Sequence, residues 1–257
     1  MSSPVSTPDQ VFTAFCQAGL WPGLGKRTAA ELPAANITRP DDVTADRLLK
    51  LPRVGKQRAE RLFSSFLSAA PTYEVVELLV GAGVNAKLAT NAADALGPDA
   101  ARRLRDDPWA LLGLSGVTLP DADRLAISLL RGADRQDTRR GRAIVALTLR
   151  TATRDGHTVL PVDLVVAALR AEGITDPAAA IVAAVESGDV LEHEPPEPDV
   201  PDDLPEDAEL PEPDPALRML SLARYGMAEE ADAGSAIRSA VASSRCTFSA
   251  TASSAMP

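Results

Sequence analysis

Cysteine is almost absent from this chain, and the two that exist, Cys16 and Cys246, stand at opposite ends. They give neither a disulfide framework nor the paired spacing of a metal site. Aromatic residues are scarce at 4%. With Ala and Leu abundant, that scarcity points to helices, since both have high intrinsic helical propensity. No apolar run approaches the ~20 residues needed to cross a bilayer. The N-terminus has no basic stretch followed by an apolar one, so a secretory signal is not expected. The reading is a soluble, cytoplasmic protein with no membrane partner. Carboxylate pairs such as Asp106-Asp107 and Asp202-Asp203 have no His or Cys beside them, so neither catalytic nor metal residues are assigned, and no cofactor is expected.

Positive charge is lacking in one half only. The formal net charge is −10. Residues 1–150 carry 20 Lys and Arg against 16 Asp and Glu, whereas residues 151–257 carry 6 against 20. An acidic whole therefore does not exclude a nucleic-acid partner, because the local field governs contact.

What is present is a repeated plan. Leu20-Trp21-Pro22-Gly23-Leu24-Gly25-Lys26-Arg27-Thr28-Ala29 is answered by Leu51-Pro52-Arg53-Val54-Gly55-Lys56-Gln57-Arg58-Ala59. In each, Pro opens a turn, Gly closes it, a cation follows, and Ala sits four residues beyond the last Gly. Arg53 replaces the first Gly of the pair, with the expected loss of one close backbone approach. A turn without Cβ atoms lets a ligand come near the chain. The helix that follows then presents free N–H groups and its positive end, which suits a phosphate oxygen. Nothing in the plan reads base edges. The expected DNA contacts are Gly23, Leu24, Gly25, Lys26, Arg27 and Thr28 in the first turn, and Arg53, Val54, Gly55, Lys56 and Arg58 in the second. Weaker forms follow at Gly81-Ala82-Gly83, with Lys87 nearby, and at Gly116-Val117-Thr118, where Thr118 stands in place of a second Gly. Gly25 to Gly55 is 30 residues and Gly83 to Gly116 is 33, a repeat of helix, turn and helix.

The expected fold is all-α. Its parts are a helix-hairpin-helix pair over 8–70, a degenerate second pair over 71–135, and a small helical bundle over 137–192. Next comes an acidic Pro-rich linker over 193–215, and then a short helix with a disordered tail over 216–257. The bundle rests on helical periodicity in Arg139–Arg154, Pro161–Ala171 and Pro177–Ser187, with a short strand starting at Val190-Leu191. Glu192–Pro215 is too rich in Pro and acid for a core. A helix is expected over Ala216–Ala228. Trp21 and Trp109 read as core anchors, and His157 as a turn residue.

The tandem hairpins resemble the front of RecD-type DNA helicases, the longer bacterial kind with helix-hairpin-helix domains ahead of the motor. Other stretches carry the same likeness: Gly97-Pro98-Asp99-Ala100-Ala101, Asp107-Pro108-Trp109-Ala110-Leu111-Leu112, Gly116-Val117, Ala122-Asp123 and Gly156-His157-Thr158. The resemblance spans residues 15–228, and the Ala-, Arg-, Asp- and Pro-rich composition is that of a GC-rich actinobacterial genome. It implies DNA binding beside a 5′–3′, ATP-driven motor used in recombination and repair. The partners are duplex, forked or single-stranded DNA, and a helicase motor or repair protein. The motor itself is missing. A Walker A loop requires Gly-x-x-x-x-Gly-Lys-Ser/Thr after a strand. The nearest stretch, ending Gly25-Lys26-Arg27-Thr28, has Leu20 in the first Gly position and Arg27 after the Lys. No ATPase is therefore expected in this chain, and the change of residue character near Glu230 reads as a truncated or frameshifted helicase front. The competing reading is a protein-interaction scaffold without nucleic-acid contact; a third is a helicase subunit that borrows its motor.

Overall fold

The computed structural model describes residues 7–194 and 218–225. They fall into two compact units, divided after Ala133.

The first unit is helical throughout its described residues. Helix α1 (Pro8–Gln17) starts at Thr7 with a capping box closed by Gln10 and with Pro in its first turn, the place where a missing N–H does no harm. Helices α2 (Lys26–Glu31), α3 (Ala45–Leu48) and α4 (Lys56–Ser68) follow. Between α2 and α3, Asp42 accepts from the Thr38 and Arg39 amides and pairs with Arg47. Helix α5 (Ala70–Gly81) is the hub, since it packs on α1, α4, α6 (Leu88–Leu96), α7 (Ala100–Asp106) and α8 (Leu119–Leu129). Val75, Val76 and Leu79 on it are fully buried. A 3-10 helix, Pro108–Gly113, joins α7 to α8, and Asp107 caps it at the Trp109 amide.

Aromatics are few, but they are gathered. Phe12, Phe15, Trp21, Phe66 and Tyr73 form one edge-to-face cluster among α1, α4, α5 and the first turn. Trp21 is its fixed point. Its Nε1 donates to the Leu62 carbonyl at 3.0 Å and to Ser65 Oγ at 3.2 Å, and Ser65 Oγ donates to the Pro22 carbonyl at 2.8 Å. Trp109 does the same further on, donating to Asp123 on α8 at 2.8 Å. Both tryptophans are the anchors expected of them, with their one polar atom satisfied.

The second unit keeps the three expected helices and adds a small sheet. It contains α9 (Thr138–Arg154), β1 (Val159–Pro161), α10 (Val162–Ala171), α11 (Pro177–Glu186), β2 (Val190–His193) and β3 (Met219–Leu222). The strands make an antiparallel sheet of order β1-β3-β2. Two corrections follow. First, of the helix expected over Ala216–Ala228, only residues 223–225 are helical among the described residues, and Met219–Leu222 is the central strand. Met219, Leu220, Ser221 and Leu222 are all buried, which a strand between two others requires and a surface helix does not. Such a short, two-sided apolar run cannot be told from a buried helix by periodicity alone. Second, His193 belongs to β2 and pairs with Met219, so the acidic stretch leaves and re-enters one β-hairpin. Residues 195–217 and 226–257, including most of the expected linker, the tail and Cys246, lie outside the described residues.

Helices α10 and α11 form a helix-turn-helix. Its turn is pinned to the start of α9. Arg140 donates to the Glu172 carbonyl, and Gln136 contacts Gly173, Thr175 N–H and Thr175 Oγ1. Gly141 on α9 faces Ala180 on α11 so closely that an added Cβ would lie 2.7 Å from the Ala180 Cβ. Gly-to-Ala exchange inside a helix ordinarily stabilises by about 1 kcal/mol. At this crossing overpacking outweighs it, so Gly141→Ala is expected to destabilise the chain by about 1–3 kcal/mol in urea denaturation.

Candidate nucleic-acid interface

The four turns share one backbone plan, more regular than the sequence suggests. Each has a residue in the left-handed region, namely Gly23 (φ +79°), Arg53 (+63°), Gly83 (+68°) and Gly116 (+80°). A buried apolar residue follows it: Leu24, Val54, Val84 or Val117. The next position is Gly25, Gly55, Asn85 or Thr118, and four residues on comes Ala29, Ala59, Ala89 or Ala122. The last three of these alanines are fully buried. The first left-handed residues are thus spaced by 30, 30 and 33 residues. In the third turn Gly83 matches Gly23, and Asn85 matches Gly25, a register two residues away from the one the Gly-x-Gly spelling implies. The recurring Ala carried that signal in all four turns.

The turns differ at the helix start that faces solvent. Gly25 and Gly55 are exposed, and a Cβ on either would meet open space. No side-chain cap is present at α2 or α4. Lys26, Arg27, Arg53 and Lys56 are exposed around them. Leu24 and Val54 are buried, so their side chains anchor the turns and only their backbone is near the surface. The later turns are closed from within. Asn85 Oδ1 accepts the Lys87 amide at 3.0 Å. Asp121 accepts from the Thr118 amide at 3.1 Å and from Thr118 Oγ1 at 2.6 Å, and pairs with Arg124. A carboxylate at that helix start takes the place an outside anion would use.

The first two turns are brought side by side. Arg58 Nη2 donates to Thr28 Oγ1 at 3.3 Å, and its Nη1 to the Arg53 carbonyl at 3.4 Å. Both Arg58 and Thr28 are half-buried in this link. The link joins the two helix starts. Trp21 and Ser65 hold the first turn on α4 from the other side. Gly25-Lys26 follows a helix and a turn, not the strand a Walker A loop needs. Beside α1 and α2 lies an apolar cleft of about 630 Å³ lined by Phe12, Cys16, Ala30, Leu32 and Ile37. Burial pushes the Cys16 thiol up to about 12, which keeps it un-ionised and inert.

Paired turns of this plan, each leading into a helix, define a helix-hairpin-helix protein. Residues 68–159, roughly a third of the chain, match the family model of the ATP-dependent RecD2 DNA helicase HHH domain. That segment is similar to the helix-hairpin-helix region of RecD2-type helicases, and it includes every motif outside the first two turns on which the resemblance rests. No curated protein matches the chain. The matched residues hold α5 to α9 and the two self-capped turns, while the open turns at Gly25 and Gly55 precede them. No helix of the described residues is long and apolar enough to cross a membrane.

The Asp121 carboxyl is held below its ordinary 3.8 first by the Thr118 hydroxyl and amide, and also by Arg124. A lowered folded-state value contributes stability above pH 3.8, and that contribution is lost as pH falls through the lowered value. Asp121→Ala is expected to cost about 0.5–2 kcal/mol at pH 7, the worth of a cap. Thermal unfolding of both proteins should show the gap closing as the pH falls below 3.8.

Proposed function

We propose that this chain binds DNA without regard to base sequence, clasping backbone phosphates with the turns around Gly25 and Gly55. The observation that carries the reading is the pairing of two exposed, side-chain-free helix starts, linked by Arg58 and Thr28 and ringed by Lys26, Arg27, Arg53 and Lys56. Helix α4, at 13 residues, supplies the stronger dipole; α2 has only 6 residues and contributes mainly its cations. The exposed backbone of Gly23, Gly25, Arg53 and Gly55 gives amides room to reach phosphate oxygens. The turns at Gly81–Gly83 and Gly116, with Lys87, act as packing partners, since their own side chains already fill the helix starts. As a region of RecD2 type, the chain positions DNA for an ATP-driven motor in repair or recombination.

The test is a titration of forked, duplex and single-stranded DNA across ionic strength. Each neutralised duplex phosphate adds about −0.9 to the slope of log affinity against log salt. Lys26→Glu with Lys56→Glu should abolish binding and leave the circular dichroism unchanged, whereas Lys87→Glu should change little. Salt-independent affinity, or equal loss from Lys87→Glu, would overturn the proposal in favour of a protein scaffold.

Arg53 gives a separate check. A non-Gly residue in the left-handed region is strained by about 1–2 kcal/mol. Arg53→Gly is expected to raise stability by about 1 kcal/mol and, by removing one cation, to weaken DNA binding and flatten the salt slope. A variant that is both more stable and tighter-binding would contradict the role given to Arg53.

A further inference from the structure

The helix-turn-helix of the second unit lacks what a nucleic-acid reader needs. From Ala171 to Leu191 there is no Lys or Arg, and the charged residues are Glu172, Asp176, Glu186 and Asp189. A helix presented to DNA phosphates meets them with cations; α11 meets them with carboxylates. What α11 offers is apolar surface. Its sequence, Pro177-Ala-Ala-Ala-Ile-Val-Ala-Ala-Val-Glu186, has no polar residue before its last position. One side, Ala180, Ile181 and Ala184, is buried, with Ala180 set against Gly141 of α9. The other side is open: Ala178 and Ala179 are exposed, Val182 is 55% exposed, and Ala183 and Val185 are half-covered. A helix that is hydrophobic all round is a buried helix in a stable assembly.

We infer that the open face of α11 docks a helix of another protein, one with a seam of bulky apolar residues flanked by Lys or Arg. Three features choose that occupant. The small side chains at 178, 179 and 183 lie exposed or half-covered around Val182, so bulky residues of a partner can approach the helix closely. The carboxylates of Asp176 and Glu186 mark the two ends of the helix, so a partner with cations at both flanks is matched to them. A second copy of this chain is disfavoured by the same charges, because antiparallel self-pairing sets acid against acid at each end. The partner fits the helix-in-groove mode of recognition, with anchors at i, i+3, i+4 and i+7.

The test uses the full chain and three fluorescein-labelled synthetic helices: a Leu-seamed peptide with Lys flanks, the same seam with Glu flanks, and a Lys-flanked peptide with Ser in the seam. The Lys-flanked Leu peptide should bind best by anisotropy. Val182→Glu should weaken it by roughly tenfold or more, about the worth of one buried Val. Ala178→Glu is a second, independent surface change expected to act the same way. Glu186→Lys should shift preference towards the Glu-flanked peptide. The inference is overturned if no peptide binds, or if Lys- and Glu-flanked helices bind alike. It also fails if Val182→Glu leaves binding unchanged, as it would were the acidic segment alone holding the peptide. Two other outcomes overturn it and name a different occupant: a dimer of the chain in sedimentation that Val182→Glu dissolves, or duplex DNA affinity that Val182→Glu removes.

Discussion

Everything in the first unit hangs on how four turns reverse the chain in very little space. One residue enters the left-handed region, the next buries an apolar side chain, and four residues past the following position stands an Ala, fully buried in the last three turns. Burying Leu24, Val54, Val84 and Val117 is what makes each turn part of the core and not a surface loop. A left-handed residue at the apex is the geometric condition for it. Gly meets that condition without strain at three apices, and Arg53 meets it at some expense. Strain tolerated at one apex fits a position selected for its charge, not for its comfort.

The same backbone plan supports two different surfaces. Where the position after the buried residue is Gly, the helix start stays open and cations surround it. Where that position is Asn85 or Thr118, a side chain turns back and occupies the amides. The turns thus divide into two with an open helix start and two whose start is occupied by a side chain, Asn85 in one and Asp121 in the other. The family match falls on the two self-capped hairpins, the part of the chain in which α5 packs with α6, α7 and α8.

Much of this was legible in the residues. The spelling Gly-x-Gly-cation and its 30-residue return located the open turns, and Thr118 in a Gly position marked the weakest one. Other features were not legible, for physical reasons. The Gly-x-Gly spelling set the third turn two residues out of register, since it is backbone conformation, not the count of glycines, that defines the apex. The link from Arg58 to the Thr28 hydroxyl 3.3 Å away was hidden, because sequence shows the charge but not its neighbour across 30 residues. Met219–Leu222 looked helical because a strand buried on both faces has no alternation to betray it. Its partners Val159–Pro161 and Val190–His193 lie far away along the chain, so no local pattern could reveal the pairing.

The order β1-β3-β2 gives the second unit a direction in time. Neither Val159–Pro161 nor Val190–His193 pairs with the other; both bond only to the strand that emerges last from synthesis. Until Leu222 has left the ribosome, two strand edges wait without a ladder, while the helices ahead of them are already complete.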